Sequence, residues 1–293
     1  MKILIVGCYG QLGRELTEIL TGDFADIGKI DDRYFGAQIT GADIDTLDVT
    51  NEFSLNNYFE NLRPDIVFNC SAYTNVDKAE EDEKTAYAVN ATGCLNLAKA
   101  CSSCGAKLVS VSTDYVFDGE KTTPYVETDT PNPQTVYGST KLQGEIFIAQ
   151  NLKEHFIVRT AWLYGKQGKN FVRTMLRLGK ERDSVTVVND QYGCPTYAND
   201  LAYHMLKIAL TEHYGIYHCV NNGVCSWYDF AKEIMYKAKL DCVVKPITSE
   251  EYGAKVKRPR FSALENDRLR KTVGDQMRKW DEALDSFLKE IEI

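Results

Sequence analysis

The sequence predicts an α/β fold in which a doubly wound parallel sheet is joined to a smaller C-terminal α/β lobe. Short apolar runs suited to buried strands recur through the first half of the chain, with helical patterns between them. A glycine-rich turn follows the first run directly. Strands that alternate with helices are typical of a parallel sheet covered on both faces. The 293 residues suffice for one large domain or two lobes.

The elements can be placed in order from their periodicity. The first half predicts strands at residues 2–6, 37–44, 65–70, 107–112 and 156–161, with helices at residues 14–20, 79–104 and 136–152. The second half predicts helices at residues 171–180, 198–210, 227–238 and 280–291, with strands at residues 185–188 and 214–220. Because no low-complexity linker separates the halves, we expect the smaller lobe to be woven from the C-terminal half.

Charge and hydropathy exclude several classes of partner. The formal net charge of -8 argues against a nucleic acid or an anionic membrane as partner. The apolar run at residues 3–6 is too short for the core of a signal peptide. No stretch approaches the ~20 apolar residues that a membrane span needs. We therefore expect a cytoplasmic protein.

The cysteines and histidines form no metal-binding or disulfide pattern. The nine cysteines are an odd number without a regular spacing, which favours reduced thiols. Cys101 and Cys104 lie at the end of a predicted helix, where the dipole does not stabilise a thiolate. The four histidines lack the spacing of metal ligands, so we expect no protein-bound catalytic metal.

Three glycines between the first strand and the first helix predict a dinucleotide site. Gly7, Gly10 and Gly13 would permit a tight turn and a close approach of the backbone to a pyrophosphate at a helix N-terminus. The alternative is a simple tight turn between strand and helix. The position of the motif, at the end of the first strand, favours the dinucleotide.

A carboxylate at the end of the second strand would accept hydrogen bonds from the adenosine ribose and repel a 2′-phosphate. We expect this residue to be Asp43, because residues 38–42 have the pattern of a strand. Asp31 and Asp32 fit the usual spacing of ~20 residues better but lack a convincing strand before them. Asp43 predicts a modest preference for NADH, with NADPH still accepted.

A hydroxyl, a phenol and an ammonium group have the pattern of a proton-transfer site. Thr113 ends a predicted strand, and Tyr137 and Lys141 share one face of a predicted helix. A phenol with a pKa of ~10 transfers protons poorly at neutral pH, and a neighbouring lysine should lower that pKa. Two later copies of the Tyr-x-x-x-Lys spacing lack the preceding strand. We therefore expect the first copy to move a proton to or from a carbonyl oxygen, with Thr113 bound to that oxygen.

These motifs together resemble those of the extended short-chain dehydrogenase/reductases, and among them the dTDP-4-dehydrorhamnose reductases. The resemblance covers nearly the whole chain and is carried by residues 10–13, 69–80, 112–119, 137–141, 159–165, 170–171, 189–196 and 257–259. It implies a Rossmann-type fold and an NADH or NADPH cofactor. It also implies a nucleotide-sugar substrate, dTDP-4-dehydro-L-rhamnose, whose C4 keto group is reduced to give dTDP-L-rhamnose.

The resemblance also implies a role for each motif residue. Tyr137 would protonate the sugar oxygen, Lys141 would hold the nicotinamide ribose, and Thr113 and Asp114 would contact the sugar. Trp162 would shape the sugar pocket, or belong to the core, and Arg258 would bind the diphosphate, or be a surface charge. The residues implied at the cofactor are Gly7, Gly10, Gln11, Leu12, Gly13, Asp43, Asp48, Val49, Ser71, Ala72, Thr74, Asn90, Tyr137 and Lys141. Asn90 could instead be an ordinary polar residue of a helix.

The resemblance divides the chain by function and leaves two alternatives open. Residues 1–163 and 198–221 would bind the dinucleotide, and residues 164–197 and 222–293 would bind the sugar nucleotide. Some relatives bind Mg²⁺ at a dimer interface through a glutamate where this chain has Asn199, and this departure argues against a Mg²⁺-linked dimer. Whether Mg²⁺ binds at an interface, and whether the chain forms a homodimer, stay open at this point. The alternatives are a 4-keto reductase of another nucleotide-deoxysugar, and a non-catalytic regulatory subunit like the β subunit of methionine adenosyltransferase.

Overall fold

The computed structural model describes residues 1–291 of the chain. The strands are β1 (Lys2–Val6), β2 (Phe24–Ala25), β3 (Gly28–Lys29), β4 (Gln38–Ala42), β5 (Ile66–Asn69), β6 (Lys107–Thr113), β7 (His155–Thr160), β8 (Leu163–Tyr164), β9 (Ser184–Val188), β10 (Tyr192–Gly193), β11 (Thr196–Tyr197), β12 (Gly215–His218), β13 (Cys225–Ser226) and β14 (Val243–Ile247). The helices are α1 (Gln11–Gly22), α2 (Glu52–Leu62), α3 (Val76–Glu81), α4 (Glu83–Tyr87), α5 (Gly93–Cys104), α6 (Val136–Asn151), α7 (Phe171–Glu181), α8 (Ala198–Ala209), α9 (Trp227–Lys237), α10 (Ser249–Tyr252), α11 (Asp267–Val273) and α12 (Trp280–Glu290).

The central sheet is parallel throughout and confirms the predicted fold class. Its six strands lie in the order β12-β7-β6-β5-β1-β4. From β1 the chain first adds β4 on one side and then β5 on the other. The carboxyl ends of β1 and β5 therefore form the switch point where open α/β sheets bind their ligands.

Alternation along β1 explains why helices cover both faces. Ile3 and Ile5 belong to a core that also includes apolar residues of α1 and α8. Leu4 and Val6 belong to a second core, which includes residues of α2, α5 and α6. Successive strand residues point to opposite faces, so a strand buried on both sides shows the continuous apolar run seen in the sequence.

The long helix predicted at residues 79–104 is broken in the structure. It consists of α3 and α4, one π-helical turn at Ala88–Thr92, and α5. Asp82 interrupts the helix because its backbone leaves the helical region and its carboxylate accepts a hydrogen bond from the N–H of Thr85. A short polar side chain that bonds to nearby backbone favours helix starts over helix interiors.

The first crossover, between β1 and β4, contains further structure besides helix α1. An antiparallel hairpin of β2 and β3 and a 3-10 turn at Asp32–Tyr34 precede β4. The strand predicted at residues 37–44 is therefore confirmed as β4, with Asp43 directly after it.

A separate apolar core joins elements from the second half of the chain. It combines α7, α9 and α12 with the parallel pair β9 and β14. The helix predicted at residues 280–291 is confirmed as α12, which buries Ala283, Leu284, Phe287 and Leu288 on one face. Strand β14 and the short helices α10 and α11 were not predicted. No helix among residues 1–291 is long and apolar enough to cross a membrane.

Candidate active site

The glycine turn after β1 forms a cradle that side chains would fill. Gly7 has a φ of +77°, and a Cβ atom there would lie 2.7 Å from the backbone nitrogen of Ser71. A Cβ atom on Gly13 would lie 2.3 Å from the carbonyl oxygen of Gly7. Helix α1 begins after Gly10 without a side-chain cap, so N–H groups of its first turn remain available to an anion. The turn therefore fits a dinucleotide pyrophosphate.

A cleft of about 440 Å³ lies outside the carboxyl ends of β1 and β4. Asp43 is in its wall, and its Oδ2 accepts a hydrogen bond of 3.0 Å from the backbone N–H of Tyr9. Asp31 pairs with Arg33, and Asp32 pairs with Lys29, both outside this wall. The predicted cofactor residues in this wall are Gly7, Gly10, Asp43, Asp48, Val49, Ser71 and Ala72.

A second cleft of about 520 Å³ continues from the first, and we call it the catalytic cleft. The two clefts share Gly10, Ser71 and Ala72 in their walls. The other predicted residues in this wall are Gln11, Leu12, Thr74, Thr113, Asp114, Tyr137, Lys141 and Trp162. The fold thus brings together the glycine turn, the loop after β5, the end of β6 and the start of α6.

Helix α6 begins where the phenol and the lysine can both face the catalytic cleft. The hydroxyl of Thr135 caps the helix by accepting a hydrogen bond of 3.0 Å from the N–H of Gly138. A Cβ atom on Gly138 would lie 2.2 Å from the carbonyl oxygen of Tyr115, so only glycine allows this approach. Tyr137 and Lys141 then line the same cleft, as their spacing predicts.

The predicted effect of the lysine on the phenol is wrong for this structure. Burial raises the pKa of Tyr137 well above its usual value, and the Thr113 hydroxyl opposes that rise. Burial lowers the pKa of Lys141, whose ammonium group donates a hydrogen bond of 2.7 Å to the carbonyl oxygen of Val111. Desolvation of the phenol therefore outweighs any charge effect of Lys141, and the raised pKa favours the protonated form of Tyr137 at neutral pH.

Thr113 and Asp114 form a hydrogen-bonded pair at the end of β6. The Thr113 hydroxyl donates to Asp114 Oδ1 over 3.0 Å and accepts from the N–H of Tyr115 over 3.2 Å. Burial raises the pKa of Asp114 to about 6, although hydrogen bonds from Ser262 and Thr113 oppose this shift. A carboxyl group with a pKa near neutrality inside a cleft is typical of functional sites.

Asn90 lies behind the catalytic cleft and outside its lining. It sits in the π-helical turn, and its side-chain amide makes two hydrogen bonds, of 2.8 and 3.1 Å, with the backbone of Tyr73. The same amide donates to the Thr140 hydroxyl of α6 over 3.1 Å. Asn90 therefore ties the loop after β5 to the helix that carries Tyr137, and π-helical turns are frequent at functional sites.

Two stacked indoles form one wall of the catalytic cleft. Trp162 and Trp227 are nearly parallel, at 6°, with ring centres 3.6 Å apart. Trp162 has a φ of +47°, an uncommon conformation for a residue with a side chain. A Cβ atom on Gly193 would lie 2.5 Å from the Trp162 ring, so this glycine admits the indole. Trp227 was missed by sequence reasoning because nothing in its pattern distinguishes it from a helix start.

A third cleft, of about 890 Å³, adjoins the catalytic cleft at Tyr115 and Trp227. Arg258 lies in its wall and is held there by an ion pair of 2.8 Å with Asp77 and by a 3.3 Å hydrogen bond to the Tyr115 hydroxyl. The Tyr115 ring meets the Tyr137 ring edge-on, with centres 5.6 Å apart. Arg258 therefore lies in the wall of a cleft, as expected for a residue that binds a diphosphate.

Possible metal ligands are dispersed in the structure. Among residues 1–291, no three His, Cys, Asp or Glu side chains are grouped so that they could hold an ion. The side chain of Asn199 is buried, where it accepts from the N–H of Asp26 over 2.8 Å and donates to Glu15 over 3.1 Å. Asn199 therefore connects α8 to α1 inside the fold.

Comparison with known proteins identifies the family. Residues 1–293 match the family described as RmlD substrate binding domain. The chain belongs to the dTDP-4-dehydrorhamnose reductase family. A dTDP-4-dehydrorhamnose reductase from Clostridium acetobutylicum is 45% identical, with a TM-score of 0.94 and 100% of both chains covered.

Two further relatives extend this comparison. The dTDP-4-dehydrorhamnose reductase of Bacillus anthracis, solved in complex with NADP, is 42% identical, with a TM-score of 0.92 and 99% of both chains covered. The spore coat polysaccharide biosynthesis protein SpsK of Bacillus subtilis is 39% identical over 289 residues, which cover 99% of this chain and 97% of that protein. Membership of the dTDP-4-dehydrorhamnose reductase family confirms the resemblance seen in the sequence.

Proposed function

We propose that the protein is an NAD(P)H-dependent dTDP-4-dehydrorhamnose reductase that converts dTDP-4-dehydro-L-rhamnose to dTDP-L-rhamnose. The observation that carries this proposal is the position of Thr113, Tyr137 and Lys141 in one cleft. That cleft continues towards the glycine turn on one side and towards Arg258 on the other. Its relatives from Clostridium and Bacillus anthracis bear the name of this enzyme, which supports the proposal.

The chain's own residues would supply the proton and the binding of the carbonyl oxygen. When bound, the dinucleotide supplies a hydride to C4 of the sugar. As the carbonyl π electrons move onto oxygen, the phenolic O–H bond of Tyr137 breaks and its proton forms the O–H bond of the sugar alcohol. Thr113 would donate a hydrogen bond to the same oxygen in place of its bond to Asp114 Oδ1. Burial keeps Tyr137 protonated, and the Lys141 cation favours the phenolate left behind, which then regains a proton from solvent.

The cofactor would extend from the catalytic cleft to Asp43. The Bacillus anthracis relative is in complex with NADP, which supports a nicotinamide dinucleotide here. Residues 1–163 and 198–221 would hold the dinucleotide, and residues 164–197 and 222–293 would hold the sugar nucleotide. The separate core of α7, α9 and α12 supports this division.

The test is a spectrophotometric assay of NADH and NADPH oxidation with a panel of dTDP-4-keto sugars. Wild-type protein should oxidise cofactor with dTDP-4-dehydro-L-rhamnose, and Tyr137→Phe should lose about 10²–10⁴-fold in turnover while still binding cofactor. Tyr203→Phe is the matched control, because Tyr203 and Lys207 share the same spacing on α8, away from the clefts. Normal turnover by Tyr137→Phe would exclude Tyr137 as the proton donor.

The same panel tests the two alternatives. A reductase of another nucleotide-deoxysugar would prefer a different keto sugar, and the name of the Bacillus subtilis relative places that protein in polysaccharide biosynthesis without naming a sugar. A regulatory subunit would bind dinucleotide but oxidise none with any substrate. A homodimer and a cytoplasmic location also remain proposals. Light scattering of the purified protein tests the homodimer.

A further inference from the structure

Arg14 is a cation at a position that helix electrostatics disfavour. It lies in the first turn of α1, directly after Gly13. The N-terminal end of a helix carries partial positive charge, so anions are favoured there and cations are not. Arg14 is exposed, and no side chain among residues 1–291 forms an ion pair with it. The guanidinium group of Arg14 therefore lies beside the helix N-terminus without an acidic side chain from the described part of the chain to neutralise its charge.

Tyr9 holds this cation next to the cleft that contains Asp43. The carbonyl oxygen of Tyr9 accepts a hydrogen bond of 3.0 Å from Arg14 Nε, and the Arg14 guanidinium carbon lies 6.0 Å from the Tyr9 ring centre. The N–H of the same residue donates to Asp43 Oδ2. One residue thus anchors a guanidinium group on one side and a carboxylate on the other, while the Nη groups of Arg14 bond to nothing among residues 1–291.

The charges of both groups act at the same point of the glycine turn. Burial raises the pKa of the Cys8 thiol, the negative charge of Asp43 raises it further, and the positive charge of Arg14 lowers it. Asp45 adds a second negative charge at this point. Beside the adenosine end of the cleft, the negative charges of Asp43 and Asp45 therefore oppose the positive charge of Arg14.

We infer that Arg14 binds the 2′-phosphate of NADPH and is the residue that allows this site to use NADPH despite Asp43. Asp43 favours an unmodified ribose and repels a phosphate, whereas a guanidinium group offers phosphate two parallel N–H donors. The two opposed charges would make the site accept both cofactors. This inference rests on the proposed function, since it assumes that a nicotinamide dinucleotide occupies the cleft.

The experiment compares wild-type protein with Arg14→Gln, with NADPH and NADH as separate cofactors. Glutamine removes the charge, keeps a polar side chain and has good helix propensity. We expect kcat/KM with NADPH to fall about tenfold, as for the loss of one charge-assisted contact at an exposed site. The value with NADH should change less than about twofold. Arg33→Gln is the matched control, because it removes one exposed charge that pairs with Asp31, outside the clefts.

A second measurement does not depend on turnover. Adenosine 2′,5′-bisphosphate and AMP should both compete with bound cofactor, and Arg14→Gln should weaken only the bisphosphate. Equal losses for both nucleotides, or unchanged binding of the bisphosphate, would overturn the inference while leaving the reductase proposal intact. Binding of neither dinucleotide by wild-type protein would overturn both.

Discussion

Asp114 should make the stability of the protein depend on pH in a way that Asp114→Asn removes. The carboxyl group is buried at the end of β6, and burial raises its pKa from an ordinary 3.8 to about 6. The folded protein therefore holds this proton more tightly than the unfolded chain does. The amide of asparagine fills nearly the same volume, can accept the Thr113 hydrogen bond and does not titrate.

The sign and size of this pH dependence follow from the linkage between protonation of Asp114 and folding. Below pH 3.8 the carboxyl is protonated in both states and costs the fold nothing. As pH rises through about 6, the folded protein must bury a carboxylate, so the stability from this group is lost. The full loss is about 3 kcal/mol, from a pKa difference of about 2 at 1.36 kcal/mol per unit. About 2 kcal/mol of it should fall between about pH 4.5 and about pH 7.5.

Urea unfolding of both proteins at several pH values measures this effect. The free energy of unfolding of wild-type minus that of Asp114→Asn should decrease by about 2 kcal/mol over that range. Taking the difference cancels every other titrating group. A difference that stays constant with pH would show that Asp114 does not titrate above its ordinary range in the folded protein, and the assignment of a raised pKa would be wrong.

Three further results are expected at the clefts. Lys141→Met should reduce turnover and weaken cofactor binding together, because the ammonium group would stabilise the phenolate and hold the ribose; unchanged values of both would remove Lys141 from the mechanism. Asp43→Ala should raise kcat/KM for NADPH relative to NADH, and a shift produced instead by substitution of Asp31 would contradict the placement of the ribose. Turnover should survive dialysis against EDTA, since the Tyr137 and Thr113 hydroxyls can act as electrophiles for the oxygen; complete loss restored by Mg²⁺ at unchanged oligomer size would reveal a catalytic ion.

Much of the fold could be predicted because its signals are local. A run of apolar residues followed at once by Gly7 identifies a buried strand and its turn, and β4 was placed from five residues of strand pattern before Asp43. The positions of Thr113 and Tyr137 could be inferred because one ends a strand and the other begins a helix. Parallel strands that share one sheet edge then bring such residues together.

The features of the site that could not be predicted depend on contacts between residues far apart in the sequence, which no local pattern shows. The predicted lowering of the Tyr137 pKa was wrong, because burial raises this pKa in the structure. The spacing shows only that Lys141 lies on the same helix face, whereas burial of the phenol depends on the complete fold. Trp227 was missed because its partner lies 65 residues earlier in the chain. Asn90 was expected at the cofactor, but only the structure shows its amide bound to Tyr73.

The stacked indoles determine when, during synthesis of the chain, the wall of the catalytic cleft can be completed. Trp162 holds a left-handed backbone that costs on the order of 1–3 kcal/mol, and the ring that packs on it belongs to a later part of the chain. Gly193, which leaves room for the indole, also comes later. A nascent chain that has emerged only as far as Lys141 therefore has Thr113, Tyr137 and Lys141 but neither of the two indoles. This wall of the catalytic cleft is therefore complete only after Trp227 has left the ribosome.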